Sequence, residues 1–253
     1  MEGQFKHLTH MWEDIMFDFA NQVVLITGAS GNLGGAIARS FEQTQAHLAL
    51  VDRSEDRLRQ EFPELADSPD HYLANCADMT QETDVRAAIG GVIERFGRID
   101  VLINAIGGYR AGQPVHETPL ETWDFMLNLN ARSLFVISQA VAPHMLAQKH
   151  GKIVNVSARA ALSGGAKMAA YSISKSAVVR LTESMAAELK DDGINVNCIL
   201  PGTIDTPQNR EATPDADFER WVKPEAMADV ILFLASDLAQ AITGAAVPVY
   251  GRS

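Results

Sequence analysis

The sequence predicts an α/β protein, a single doubly wound parallel sheet of about seven strands with helices on both faces. Three observations carry this. Apolar runs of strand length alternate with longer segments of helical period along the chain. The strand runs are almost continuously apolar, as strands of a parallel sheet covered on both faces must be. A glycine-rich turn, Thr27-Gly28-Ala29-Ser30-Gly31-Asn32-Leu33-Gly34, joins the first strand to the first helix and lets the backbone reverse tightly there.

Val23–Thr27 (VVLIT) is the first strand, and Gly34–Thr44 follows with helical spacing through Ile37, Ala38 and Phe41. Leu48–Asp52 (LALVD) is the second strand and Tyr72–Asn75 a weaker third. Thr80–Phe96 sets Val85, Ala88, Ile89, Val92 and Ile93 on one side of a helix. Asp100–Ala105 (DVLINA) is the fourth strand, and Thr122–Gln148 is one long helical stretch, apolar on much of its circumference. Lys152–Val156 is the fifth strand and Ala169–Lys190 a helix with Glu183 and Glu188 on its polar side. Ile194–Leu200 is a strand, Glu225–Leu234 a helix and Ala246–Val249 the last strand. Repeated βα units with right-handed crossovers make this a Rossmann-type sheet. Arg110–Thr118 and Asp205–Trp221 are the long irregular stretches, and loops of that length in compact folds serve as lids.

The chain has 253 residues, 47% of them hydrophobic and 21% charged, with a formal net charge of −11. An acidic balance excludes a non-specific nucleic-acid binder or an anionic-membrane binder, both of which need a basic face. No apolar run reaches the length of a membrane span. Residues 1–20 carry Glu13, Asp14 and Asp18 where a signal peptide needs an apolar stretch, and read as an N-terminal extension. No linker, repeat or low-complexity tract divides residues 21–253, which are expected to form a single domain. Cys76 and Cys198, far apart, offer neither a disulfide framework nor a metal-binding spacing. They suit a reducing compartment, and a cytoplasmic protein is expected.

The glycine turn is suited to a pyrophosphate at a helix N-terminus. Asp52 ends the second strand, 24 residues after Gly28. A carboxylate there accepts both ribose hydroxyls and repels a 2′-phosphate, whereas the following Arg53 would attract it. The balance favours NAD(H), with NADP(H) as the alternative. Tyr171 and Lys175 are spaced i, i+4 at the start of a helix, which puts phenol and ammonium on one face. A neighbouring ammonium is expected to bring the phenol's pKa down toward working pH.

These motifs together resemble the short-chain dehydrogenase/reductase family from Asn21 to about Gly251. The resemblance includes the turn at 27–34, Asp78 after the third strand, Asn104-Ala105-Ile106-Gly107, Asn130 within Leu129-Asn130-Ala131, Tyr171 with Lys175, Pro201-Gly202 with Thr206, and Ile242-Thr243-Gly244. It implies an NAD(P)H-dependent oxidoreductase that transfers hydride to a small carbonyl or to a conjugated imine or pterin-like substrate. Tyr171 would be the proton donor, Lys175 would bind the nicotinamide ribose, and Asn130 would hold a relay water. Gly28, Ser30, Asn32, Leu33 and Gly34 would cradle phosphates, with Asp52 and Arg53 at the adenosine ribose. Asp78 and Met79 would meet the adenine, while Asn104, Ala105, Gly107, Pro201, Gly202, Ile204 and Thr206 would line the rest of the cofactor.

Three departures stand out. Asn32 replaces the middle glycine of the family's turn, tolerable because Asn accepts left-handed backbone better than most residues. Ala105 and Ile106 replace Asn and Ala. The family's catalytic serine, thirteen residues before Tyr171, falls on Ala158. Ser157 precedes it and in extended chain points to the other side, so it would serve only through a bulge, with Ser163 a weaker candidate. Ala158 in that place, together with Ile106-Gly107-Gly108-Tyr109 and the stretch Leu200–Trp221, resembles the dihydropteridine reductase branch. Ser157, Ala158 and Trp221 are the expected substrate-side residues, with Trp221 and Tyr109 placed to stack on a flat ring. The alternatives are a ketone/alcohol or 3-oxoacyl reductase of the same family, and a catalytically weak dinucleotide-binding regulator. The resemblance also implies a homodimer or homotetramer built on the helices at Thr122–Gln148 and Ala169–Lys190, with a small-molecule substrate and no metal.

Overall fold

The computed structural model describes residues 17–76 and 78–253. Its centre is a seven-stranded, wholly parallel sheet in the order β3-β2-β1-β4-β5-β6-β7. The strands are β1 Val23–Thr27, β2 His47–Asp52, β3 Tyr72–Asn75, β4 Val101–Asn104, β5 Gly151–Val156, β6 Ile194–Pro201 and β7 Ala246–Val249. Every residue of β1, β4 and β5 is buried, which is why those runs carry no polar alternation.

The helices are α1 Asn32–Glu42, α2 Glu55–Glu61, α3 Pro63–Ala66, α4 Glu82–Phe96, α5 Leu120–Leu127, α6 Ser133–Gln148, α7 Ala169–Leu189, α8 Pro207–Ala212 and α9 Pro224–Ala235. Two large apolar clusters form, one on each face of the sheet. One joins α1 and α9 to Val24, Ile26, Leu48 and Leu50, and the other joins α4, α6 and α7 to Val23, Leu25, Leu102 and Ile153. No helix among the described residues is long and apolar enough to cross a membrane.

Three differences from the sequence expectation have physical causes. The stretch Thr122–Gln148 is not one α-helix. A wide π turn at Asn128–Arg132 separates α5 from α6 and holds the buried Asn130. The short helices α2, α3 and α8 were not expected, since α2 and α3 bury only Leu58 and Leu65 and α8 buries nothing, leaving too little apolar period to read. The expected extension ends earlier than residue 20. Phe19 is fully buried in the core and stands edge-on to Phe41 with ring centres 4.9 Å apart, and Phe17 packs against the same cluster. Residues 1–16 lie outside the described residues. Phe19→Ala is expected to cost about 3–5 kcal/mol by leaving a ring-sized cavity, to be read from urea unfolding.

The βα order reverses between β1 and β4, so the crevice at the carboxyl ends of those strands is left open by the flanking helices. Thr27, Asp52, Asn104, Val156 and Pro201 end their strands at that edge.

Candidate active site

A cavity of about 850 Å³ occupies the crevice. Its first wall is the glycine turn. Gly28 takes φ +68°, and a Cβ on Gly34 would stand 2.1 Å from the Gly28 carbonyl oxygen, so only glycine lets the helix start so close to the strand. The N-terminus of α1 has no side-chain cap and no acid in its first turn. Its free N–H groups, at Asn32, Leu33 and Gly34, face the cavity they help line. This cradle fits a dinucleotide pyrophosphate.

Asn32 needs no left-handed backbone here, because it is an ordinary first residue of α1. Its side chain instead donates to Gln208 Oε1 of α8 at 2.8 Å. Asp52 turns back toward the turn. Its carboxylate accepts the Ser30 N–H at 3.0 Å and the Arg53 N–H at 2.7 Å, while the Arg53 side chain is exposed. On the adenine side, one Asp78 oxygen accepts both the N–H and the hydroxyl of Thr80, which holds its carboxyl below the usual range. Met79 puts its side chain into the core and presents only backbone.

Ala105, Gly107, Pro201, Gly202, Ile204 and Thr206 all line the cavity. Asn104 does not. Its amide donates to Asn155 at 2.9 Å, and Asn155 donates to Thr182 at 2.9 Å, a buried chain that ties β4 to β5 and α7. These bonds give Asn104 a structural role, while its Oδ1 is buried without a partner.

The start of α7 delivers the chemistry. Tyr171 and Lys175 both line the cavity. The Lys175 ammonium is buried and donates to the Val156 carbonyl at 2.9 Å, and burial lowers its pKa to about 8. Tyr171 is pushed up to about 12, first by burial and then by Tyr109, whose ring stands edge-on at 4.8 Å. The expected lowering by Lys175 is absent in this arrangement, because the ammonium is directed to Val156. Tyr171 is accordingly a phenol at neutral pH, ready to give a proton rather than take one.

Asn130 does not face the cavity. Its amide clasps Gly108 in both directions, at 2.9 and 3.1 Å, and donates to Ser174 at 2.9 Å. A Cβ on Gly107 would meet Lys175 Nζ at 2.9 Å and Asn130 Oδ1 at 3.1 Å. These bonds clamp the Gly107–Gly108 segment against α7.

Ala158 lines the cavity in extended backbone, φ −163° and ψ 158°. The Ser157 hydroxyl donates to the Lys175 carbonyl at 2.8 Å. Ser157 also lines the cavity, but in this arrangement its proton is spent on the Lys175 carbonyl and not offered to an acceptor. Trp221 is absent from the cavity wall and packs on Phe218 at 4.8 Å, so of the two expected stacking rings only Tyr109 is in place.

Sequence reasoning missed Arg159, Met168 and Asn209, which also line the wall. Arg159 directly follows the serine slot, a position signal available in the sequence. The lid is knit locally. Thr206 caps α8 by accepting the Asn209 N–H at 3.2 Å, Arg210 pairs with Asp205, and Asn209 donates to the Ile204 carbonyl at 2.8 Å.

Residues 22–217 match the short chain dehydrogenase family. The chain is 36% identical over 242 residues to the 3-oxoacyl-[acyl-carrier-protein] reductase of Thermotoga maritima, covering 91% of this chain and 96% of that one. It is 35% identical over 240 residues to the (2S)-[(R)-hydroxy(phenyl)methyl]succinyl-CoA dehydrogenase subunit of Thauera aromatica, again covering 91% and 96%. Among solved structures it superimposes on an NAD⁺-bound xylitol dehydrogenase with TM-score 0.84 and 28% identity, covering 92% of this chain and 99% of that one. With the glycine cradle, the Tyr171/Lys175 pair and the sheet order in agreement, the chain belongs to the short-chain dehydrogenase family and is an oxidoreductase built around a dinucleotide-binding sheet.

Proposed function

We propose that the protein reduces a conjugated imine or pterin-like acceptor with NADH, with Tyr171 as proton donor. The bound dinucleotide supplies the hydride. Tyr171 gives its proton to the reduced acceptor, and Lys175 would hold the cofactor ribose. The observation that carries the acceptor class is Ala158 in the serine slot while the Ser157 hydroxyl is engaged by Lys175. An isolated ketone develops charge on one oxygen and needs a fixed donor there. A conjugated ring spreads that charge over its nitrogens and needs it less. The open, edge-on Tyr109 beside Tyr171 supports a flat acceptor.

A second reading, a ketone/alcohol or 3-oxoacyl reductase, is favoured by the printed activities of the relatives. The test is cofactor oxidation, with NADH and NADPH in parallel, against quinonoid dihydropterin, small ketones and 3-oxoacyl thioesters. Pterin turnover that vanishes in Tyr171→Phe supports the first reading. Ketone or thioester turnover without pterin activity replaces it by the second.

A preference for NADH is supported by the Asp52 carboxylate at the end of β2, which two N–H groups fix beside the glycine turn where an adenosine ribose would lie, and the NAD⁺-bound structural neighbour is consistent with it. Asp52→Ala is expected to move the NADPH/NADH ratio of kcat/KM upward by at least about tenfold, through loss of charge repulsion. An unshifted ratio removes Asp52 as the selector. Self-association through α6 and α7 is supported by exposed Phe135, Leu146 and Ile173 on those helices, and a monomer by light scattering at micromolar concentration would remove it. A reducing, cytoplasmic setting is supported by Cys76 and Cys198, both buried and unpaired.

A further inference from the structure

We propose that the substrate is an anion, whose carboxylate or similar small anionic group sits between Arg110 and Lys167 while its reducible end lies at Tyr171. The proposal rests on the reading of Tyr171 given above and adds a charge to the substrate class. A second cavity, of about 430 Å³, adjoins the catalytic one, and the two share Tyr109 and Met168. A ligand longer than a single ring therefore extends from Tyr171 past these side chains into it.

The charged residues lining this second cavity are Arg110 and Lys167, with Gln113 and Thr122 as neutral polar partners and no carboxylate. Among the described residues neither Arg110 nor Lys167 pairs with a carboxylate, whereas Arg39, Arg59 and Arg210 do.

The Arg110 side chain and the Lys167 backbone are both held in place. The Arg110 guanidinium lies over the Phe125 ring, 3.6 Å from its centre, which fixes its plane. Lys167 takes φ +63°, a conformation that persists only where its surroundings impose it, and its carbonyl accepts the Gly112 N–H at 2.8 Å. The two loops that carry the cations are thereby pinned to each other. The start of α7, at Ala169, forms part of the same cavity and has neither a side-chain cap nor an acid in its first turn, so the helix adds positive potential of the same sign. No residue of the glycine turn lines this cavity, so the dinucleotide phosphates do not account for these charges. In the catalytic cavity itself the charged side chains on the wall are Lys175 and Arg159, the latter donating to the Ser253 main-chain oxygen at 2.8 Å.

The test uses the full chain loaded with NADH and two matched pairs, pterin with pterin-6-carboxylate and benzaldehyde with 4-carboxybenzaldehyde, with succinate as a non-reacting probe. Dissociation constants are read by calorimetry. The carboxylated member should bind at least about tenfold tighter, as a charge-assisted contact implies, and succinate should bind on its own. In Arg110→Gln/Lys167→Gln that preference should fall to within about twofold, with NADH affinity unchanged as the check on folding. Equal binding of both members with no succinate binding overturns the proposal, as does a preference that survives both substitutions. A preference for 4-carboxybenzaldehyde with no binding of either pterin upholds the anion site and removes the pterin reading, so the two fail separately.

Discussion

Tyr171→Phe is expected to lower turnover by about 10²–10⁴-fold, the usual worth of a positioned general acid, while NADH affinity is unchanged. The phenol is held at the start of α7, buried and edge-on to Tyr109, with its pKa near 12. Phenylalanine keeps the ring and its packing and removes only the proton to be delivered. The hydride step then leaves an anion with no local acid. The same geometry sets a pH limb. Lys175, with a pKa of about 8 in the free protein, is charged below that value and neutral above it. The charge proposed to hold the cofactor ribose is lost as pH rises, so kcat/KM for reduction should fall above pH about 8, since that parameter reports free-enzyme groups. The measurements are single-turnover reduction of the best acceptor and kcat/KM against pH. A Tyr171→Phe rate within a few-fold of wild type would remove Tyr171 from the proton transfer.

Ala158→Ser is expected to gain rather than lose activity. Position 158 is extended and lies on the cavity wall in the same chamber as Tyr171, so a hydroxyl added there faces the acceptor without displacing packed core. Reduction of an isolated ketone should rise by about 10²–10³-fold, the usual worth of one preorganised oxyanion donor. Reduction of a conjugated acceptor should change by less than about tenfold, because its charge is spread away from one atom. Ser157→Ala is the control. It removes a hydrogen bond to the Lys175 carbonyl and should cost about 1 kcal/mol of stability without opening ketone reduction. Equal gains for both acceptor classes in Ala158→Ser would mean that ketones were already substrates limited by this missing group.

The strands were legible because burial on both faces writes itself as continuous apolar sequence. β1, β3 and β7 begin and end where their composition predicts, and the others shift by one residue at one or both ends. The glycine turn and the Tyr171/Lys175 pair were legible because spacing alone puts each where its chemistry needs it. What escaped was set by long-range geometry. Nothing local marks the π turn around Asn130, which is held by Gly108 and Ser174 from other elements. Trp221 was expected to stack on a substrate ring, but its nearest aromatic partner, Phe218, is three residues away and turns it from the cavity. Phe19 looked like part of a tail because its partner, Phe41, lies across the first βα unit.

The hydrogen bond from Asn32 to Gln208 has a kinetic consequence. Thr206, Asn209, Asp205 and Arg210 brace α8 internally, and among the described residues one side-chain hydrogen bond joins that helix to the glycine turn. A flap held this way is expected to open without melting, at a cost of about 1 kcal/mol for the latch, on the microsecond-to-millisecond scale of lid motions. The latch sits on the turn suited to the dinucleotide, so its loss is expected to quicken the release of spent cofactor.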